Sequence, residues 1–171
     1  MKLKKAAKAL SGPAAQKAYA VALNEVGPVA RNQAVKAVAK QMGVTGATIA
    51  KRAKVTTKAA APGKLAYNIN AQGGYLLMKD FKPGQSAKGV RAGPWAKRRL
   101  FKGSFIVNGL HGNVFHRETM ARFPIQNMYG PAVPKEIVKD KAKEAFESSV
   151  AKRLPVRVQH QLKRATNGAF D

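Results

Sequence analysis

The chain predicts an α+β fold, and three observations carry the prediction. Ala- and Lys-rich stretches with helical spacing stand at both ends, the middle is cut every few residues by glycine or proline, and one hairpin pattern sits inside that middle. The expected architecture is a pair of N-terminal helices, a small mixed or antiparallel sheet with a long basic loop, and a C-terminal amphipathic helix packed across the sheet. A single domain is expected, with a basic helical arm over 1–43 and an α+β core over 44–171, because 171 residues hold one core comfortably.

The first helix starts near Pro13, with Ser11 as its cap, and carries Ala18, Ala22, Leu23 and Val26 on one side. Gly27-Pro28 then divides it from a second helix over Val29–Gln41, whose stripe is Ala34, Val35, Val38 and Met42 and whose stop is Gly43. A proline-kinked single helix is the alternative. Val44–Val55 has two readings. In one it is the turn and second helix of a helix-turn-helix, with Thr45 as cap, Ile49 and Ala50 facing inward, and Lys51, Arg52 and Lys54 facing a groove. In the other it is a helical turn followed by a basic strand.

From Gly63 to Phe105 turn residues dominate. KLAYNINA and GGYLLMKDF read as short strands, and PGQSAKGVRAGPWAKRRLFKG reads as a long basic link in which Lys97, Arg98 and Arg99 stand beside Trp95 and Phe101. GSFIVNGLHGNVFHRE is the hairpin, Ser104–Asn108 against Asn113–Arg117, with Asn108-Gly109 and His111-Gly112 supplying residues that tolerate left-handed backbone. Pro124 limits ladder pairing and suits an edge or bulge, Gly130-Pro131 ends the strand region, and Pro134 suits a first helical turn. The last helix spans Val133–Arg164, with Val138, Ala142, Ala145, Phe146, Val150, Leu154, Val158 and Leu162 as its stripe and Pro155 as a kink or division.

Charge sets the class of partner. The formal net charge is +24, from 32 Lys and Arg against 8 Asp and Glu, so anionic partners are expected, with strong and salt-dependent attraction to nucleic acid. The balance is uneven: residues 1–79 hold 14 basic side chains and one acid, Glu25, while 135–171 hold nine basic and five acidic ones, the pattern of an ordinary solvated helix face. Zero cysteines exclude disulfides and thiolate metal sites, and no apolar run reaches signal-peptide or membrane-span length, so a protein made in the cytoplasm without membrane contact is expected.

Catalytic chemistry finds no support. The acids are scattered, neither GxxxxGK[ST] nor GxSxG occurs, and His111 and His116 across the hairpin lack the further ligands a metal needs. No enzyme activity and no cofactor are expected.

In FIVNGLHGNVFHRETMARFPIQNMYGPAVPKEI, a strand ending Phe-Ile-Val leads through a glycine turn to a strand with Phe115 and Arg117. An Arg-x-Pro-Ile segment follows at Arg122, Pro124 and Ile125, then Gly130-Pro131 before the last helix. This order resembles the minor tail protein Z, or tail completion protein, family of long-tailed bacteriophages and prophages. The resemblance is specific over 101–135 and compositional from 15 to 165. It implies a structural virion protein at the head-proximal end of the tail, built as a homo-oligomeric ring with a hexamer as one arrangement. Its implied partners are the tail terminator, tail tube and head connector proteins and the genomic DNA end in the channel. Lys2, Lys4, Lys5, Lys8, Lys51, Arg52, Lys54, Lys97, Arg98 and Arg99 would then meet DNA or an acidic partner. Phe115, Arg117, Arg122, Pro124, Ile125, Gly130 and Pro131 would order the interface. The competing reading is a nucleoid-type or regulatory DNA-binding protein using the helix-turn-helix-like segment at 30–55.

Overall fold

The computed structural model describes residues 12–165, so Lys2, Lys4, Lys5 and Lys8 lie outside the described residues. Helix α1 is Pro13–Met42, α2 is Gly46–Arg52, α3 is Val133–Glu136 and α4 is Asp140–Ala165. Between α2 and α3 lie ten short strands: β1 Lys54–Lys58, β2 Asn68–Gln72, β3 Tyr75–Leu77, β4 Gly84–Ser86, β5 Gly89–Ala92, β6 Arg99–Lys102, β7 Ser104–Val107, β8 Asn113–His116, β9 Gln126–Asn127 and β10 Tyr129–Ala132. They form four small sheets, β1-β2, β10-β3, β4-β5-β6 and β7-β8-β9. The class is α+β, with helices at both ends of the described chain.

The two expected N-terminal helices are one. Pro28 lies inside α1, and Ala15, Ala18, Ala22, Val26, Ala30, Ala34, Val38 and Met42 are all buried at every third or fourth position through it. An interior proline costs about 3 kcal/mol, and a stripe of burial running past it offsets that. The end of α1 matches expectation. Gly43 takes φ +80°, its N–H donates to Lys40 O at 3.2 Å, and Val44 N–H donates to Ala39 O at 3.0 Å, the two bonds of a Schellman stop.

The chain divides into two compact units. The first comprises the chain up to Ala34, Val55–Asn70 and the chain from Lys143 onward. Here Gly27 has a role other than ending a helix: a β-carbon on it would lie 2.5 Å from ring carbons of Tyr67. Asn24 fixes the segment after β1, donating to Ala60 O at 2.9 Å and accepting from Ala60 N–H at 2.8 Å. Glu25 accepts from Gln161 Nε2 at 2.7 Å. On α4 the stripe Ala145, Phe146, Val150, Leu154, Val158 and Leu162 is half-buried, and the helix passes through Pro155 undivided.

The second unit comprises Val35–Lys54 and Ala71–Ala142. Its core gathers Val38, Met42, Ile49, Leu76, Phe81, Val90, Val114 and Val133. Thr45 caps α2 as expected, its side chain accepting from Thr48 N–H at 3.2 Å, and Ile49 is buried. Ala50 is exposed rather than inward, because α2 lasts only seven residues and the next buried position is Ala53.

Further expectations are corrected between Gly84 and Lys139. The basic link is mostly sheet: β4-β5-β6 is antiparallel, pairing Gly84 with Arg91 and Arg91 with Leu100, because Val90 and Ala92 alternate inward at full burial. In the β7-β8 hairpin only His111 (φ +59°) and Gly112 (φ +67°) take left-handed backbone, while Asn108-Gly109 form a turn of 3-10 helix. Arg122–Ile125 is loop rather than strand, with a cis Phe123–Pro124 peptide, and the strand begins only at Gln126. Gly130-Pro131 lies inside β10 instead of ending the strand region: Pro131 falls where the β10-β3 register shifts, and Gly130 leaves room for the Phe81 ring. The last helix is also interrupted. Ile137–Lys139 separate α3 from α4, which leaves Val138 65% exposed. Pro134 sits in the first turn of α3, as expected.

Candidate functional site

From Phe81 to Arg117 the chain contains eight Lys or Arg residues and no Asp or Glu. The β4-β5-β6 sheet lies in the middle of this run, and strand parity decides where its cations go. Arg91 and Leu100 are direct register partners and therefore share a face, which Lys102 joins two residues along β6. Gly84, the other register partner of Arg91, shares it too, and a β-carbon there would lie 3.4 Å from Arg98 Nη2. Arg98 thus reaches over the bare backbone of Gly84, on the face to which Arg91 belongs. Both side chains and Lys102 are exposed, and Leu100 is half-buried. Val90, Ala92 and Phe101 occupy the opposite face, turned to the core.

Arg99 goes the other way. It opposes Ala92 in the ladder, and its guanidinium lies 5.7 Å from the ring centroid of Trp95. Such a cation–π contact contributes about 0.5–1 kcal/mol at an exposed site. Trp95 sits in a tight turn in which it and Ala96 both adopt φ +55°, a left-handed backbone that ordinary residues hold only when neighbours enforce it. The indole is tied to the interior. Trp95 Nε1 donates to Glu136 Oε1 at 3.4 Å, and Glu136, 8% exposed, also accepts from Gln41 Nε2 at 2.9 Å. Gln41 Oε1 in turn accepts from Ala142 N–H at 3.3 Å. Burying a carboxylate is costly unless donors such as these meet it. The end of α1, the Trp95 turn, α3 and the start of α4 are joined through it.

The expected cluster Lys97, Arg98 and Arg99 is exposed throughout, but its arginines serve different surroundings. Arg91 and Lys102 complete the face that Arg98 occupies, and the sequence reading missed them; alternation in GVRA and RLFK was the available signal. Among the groove residues, Lys51 and Lys54 are exposed, whereas Arg52 pairs with Asp80 at 3.1 Å. A seven-residue helix whose one arginine is engaged presents little to a base edge.

The motif residues divide between packing and surface. Phe115 is buried, and its ring stacks against Phe105 with centroids 6.4 Å apart. The Arg117 guanidinium covers Phe105 at 4.4 Å while its Nε donates to Arg122 O at 3.3 Å, closing the base of the following loop. Arg122 and Pro124 are exposed and Ile125 is half-buried, while Gly130 and Pro131 are buried. His111 and His116 do not converge, since one occupies the closed end of the hairpin and the other its open end, opposite Ser104. Among the described residues no group of three or more His, Cys, Asp or Glu is placed to hold a metal ion, and no helix is long and apolar enough to cross a membrane.

A family model described as prophage minor tail protein Z matches residues 3–167, in agreement with the resemblance carried by 101–135. No curated protein and no solved structure matches the chain.

Proposed function

Because the chain belongs to the prophage minor tail protein Z family, we propose that it completes the head-proximal end of a long-tailed phage tail and forms part of the head-tail joint around the DNA channel. The observation that carries this reading is the extent of the family match, nearly the whole chain from 3 to 167. A tail structural protein needs surfaces for its neighbours, and two features of the described residues suit that need. They are a basic sheet face and a carboxylate that ties elements together.

In this role copies of the chain form a ring, a hexamer in the simplest arrangement, against the tail tube, tail terminator and head connector proteins. The net charge of +24 suits a position next to DNA or acidic neighbours, since each copy repels the next unless anions lie between them. Lys97 and Arg98 would meet that partner, Arg99 would act through the Trp95 turn it covers, and Arg117, Arg122 and the loop they close would contribute to the joint.

The test uses phage tails assembled without this protein. Adding the purified chain is expected to produce a density at the upper tail end in electron micrographs and to restore joining to DNA-filled heads. Reversing the charge of Lys97, Arg98 and Arg99 together is expected to lower infectious titre at least tenfold. Density at the tail tip, or no binding to tails at all, would refute the placement.

A further inference from the structure

We propose that the outer face of β4-β5-β6, built on Arg91, Arg98 and Lys102, binds the phosphate backbone of duplex DNA without reading sequence. This rests on the tail-joint reading for its setting, and it names both the surface and the partner.

Geometry carries the proposal first. Register places Arg91, Leu100 and Lys102 on one face, and the missing side chain at Gly84 lets the Arg98 guanidinium reach across to the same place. The planar guanidinium groups of Arg91 and Arg98 can each fork onto phosphate oxygens, and the ammonium of Lys102 adds a point charge on the same face. Ser86, two residues from Gly84 on β4, keeps the rest of that strand low, so a bulky polyanion can approach closely.

Charge carries it second. No acid occurs from Phe81 to Arg117, and the nearest acidic side chain before this run, Asp80, is engaged by Arg52. Among the described residues no acid forms a salt bridge with Arg91, Arg98 or Lys102, unlike α4, where Glu147 accompanies Lys143 at 3.8 Å.

Composition decides between a nucleic acid and an acidic protein. Protein interfaces place aromatic or aliphatic anchors at their centre, and although arginine is common there it accompanies such anchors, while lysine is depleted. This face offers one aliphatic side chain, Leu100, which is already half-buried, and otherwise cations and small residues. Phosphate contacts need only cations and close approach. Nothing on the face has the Asn or Gln forks that read adenine, so binding is expected to ignore sequence.

The experiment measures fluorescence anisotropy of a labelled mixed-sequence duplex of about 20 base pairs against the full chain over a series of salt concentrations. Removing one cation that pairs with a phosphate should reduce the slope of log K against log salt by about 0.9. The triple variant Arg91→Gln, Arg98→Gln, Lys102→Gln is therefore expected to flatten the slope by about 2 to 3. A charge-matched control, Lys36→Gln, Lys40→Gln, Lys152→Gln, removes three exposed cations from helices and should flatten it by less than about 1. Should the triple variant melt early, Arg91→Gln and Arg98→Gln alone are each expected to reduce the slope by about 0.9. Equal flattening in the sheet variant and the control would overturn the proposal, because the attraction would then be diffuse. An unchanged slope would also overturn it; if that variant nevertheless failed to complete tails, an acidic protein would be the occupant of the face. A flattened slope with a protein that never joins tails would sustain the DNA surface and reject the tail-joint reading instead.

Discussion

Glu136→Ala tests whether one buried carboxylate organises the second unit and holds the Trp95 turn. The substitution removes a 2.9 Å hydrogen bond from Gln41 Nε2 and a longer, 3.4 Å one from Trp95 Nε1. A hydrogen bond to a charged group contributes about 1.5–3 kcal/mol, and the long, partly exposed indole contact belongs below that range. Gln41 Nε2 then keeps only its 3.4 Å contact to the Glu136 carbonyl oxygen, so a total loss of about 3 kcal/mol is expected. For a chain of this size each kcal/mol moves the melting temperature by about 2–4 °C, which predicts a fall of about 6–12 °C. Glu136→Gln keeps the shape and one acceptor oxygen and should lose about half as much. The readouts are thermal melting followed by circular dichroism and the emission of Trp95, the single tryptophan of the chain, which should shift to the red as its turn loosens. A melting temperature within about 2 °C of the wild type, with emission unchanged, would mean that packing alone holds the turn, and the role of Arg99 beside it would fall too.

Two glycines offer tests of opposite sign. In a helix interior Gly→Ala ordinarily stabilises by about 1 kcal/mol, but Gly27→Ala should destabilise by about 1–2 kcal/mol because its methyl would meet the Tyr67 ring; in a Tyr67→Ala background the same change should become stabilising, and urea titration of the four proteins reads the reversal. Gly130→Ala should cost about 2–3 kcal/mol, since the Phe81 ring it would overlap is only 2% exposed and has nowhere to go, and Phe81→Leu should recover part of that loss in the same titration.

Those glycines also mark where reading residues in order reaches its limit. Helices were legible because burial at every third or fourth residue repeats for several turns: the α1 stripe, the Thr45 cap and the Gly43 stop all stand where local chemistry places them. Gly27-Pro28 and Gly130-Pro131 look like punctuation for the same local reasons, yet each glycine is explained by a ring 40 or 49 residues away, Tyr67 and Phe81. Conformational freedom and close approach ask for the same residue, and a single chain offers no way to tell them apart. The strands of residues 84–102 were missed for a different reason. Each has three or four residues, so alternation presents at most two inward positions, and Val90 with Ala92 is too short a pattern to separate from loop.

The candidate site was legible as charge and illegible as direction. A run of three cations at Lys97, Arg98 and Arg99 reads as one patch, but a pleated strand sends neighbours to opposite faces, and here the division has a purpose on each side. Arg99 stays with Trp95, whose indole is held by a carboxylate 41 residues further on, and so helps fix the turn that starts β6. Arg98, released to the other face, joins Arg91 and Lys102, which come from residues that no motif distinguishes. The buried acid and the exposed cations therefore belong to one design. Glu136 is met in the interior by Gln41 and Trp95 as donors, while Arg91, Arg98 and Lys102 stay exposed to solvent on the outer face.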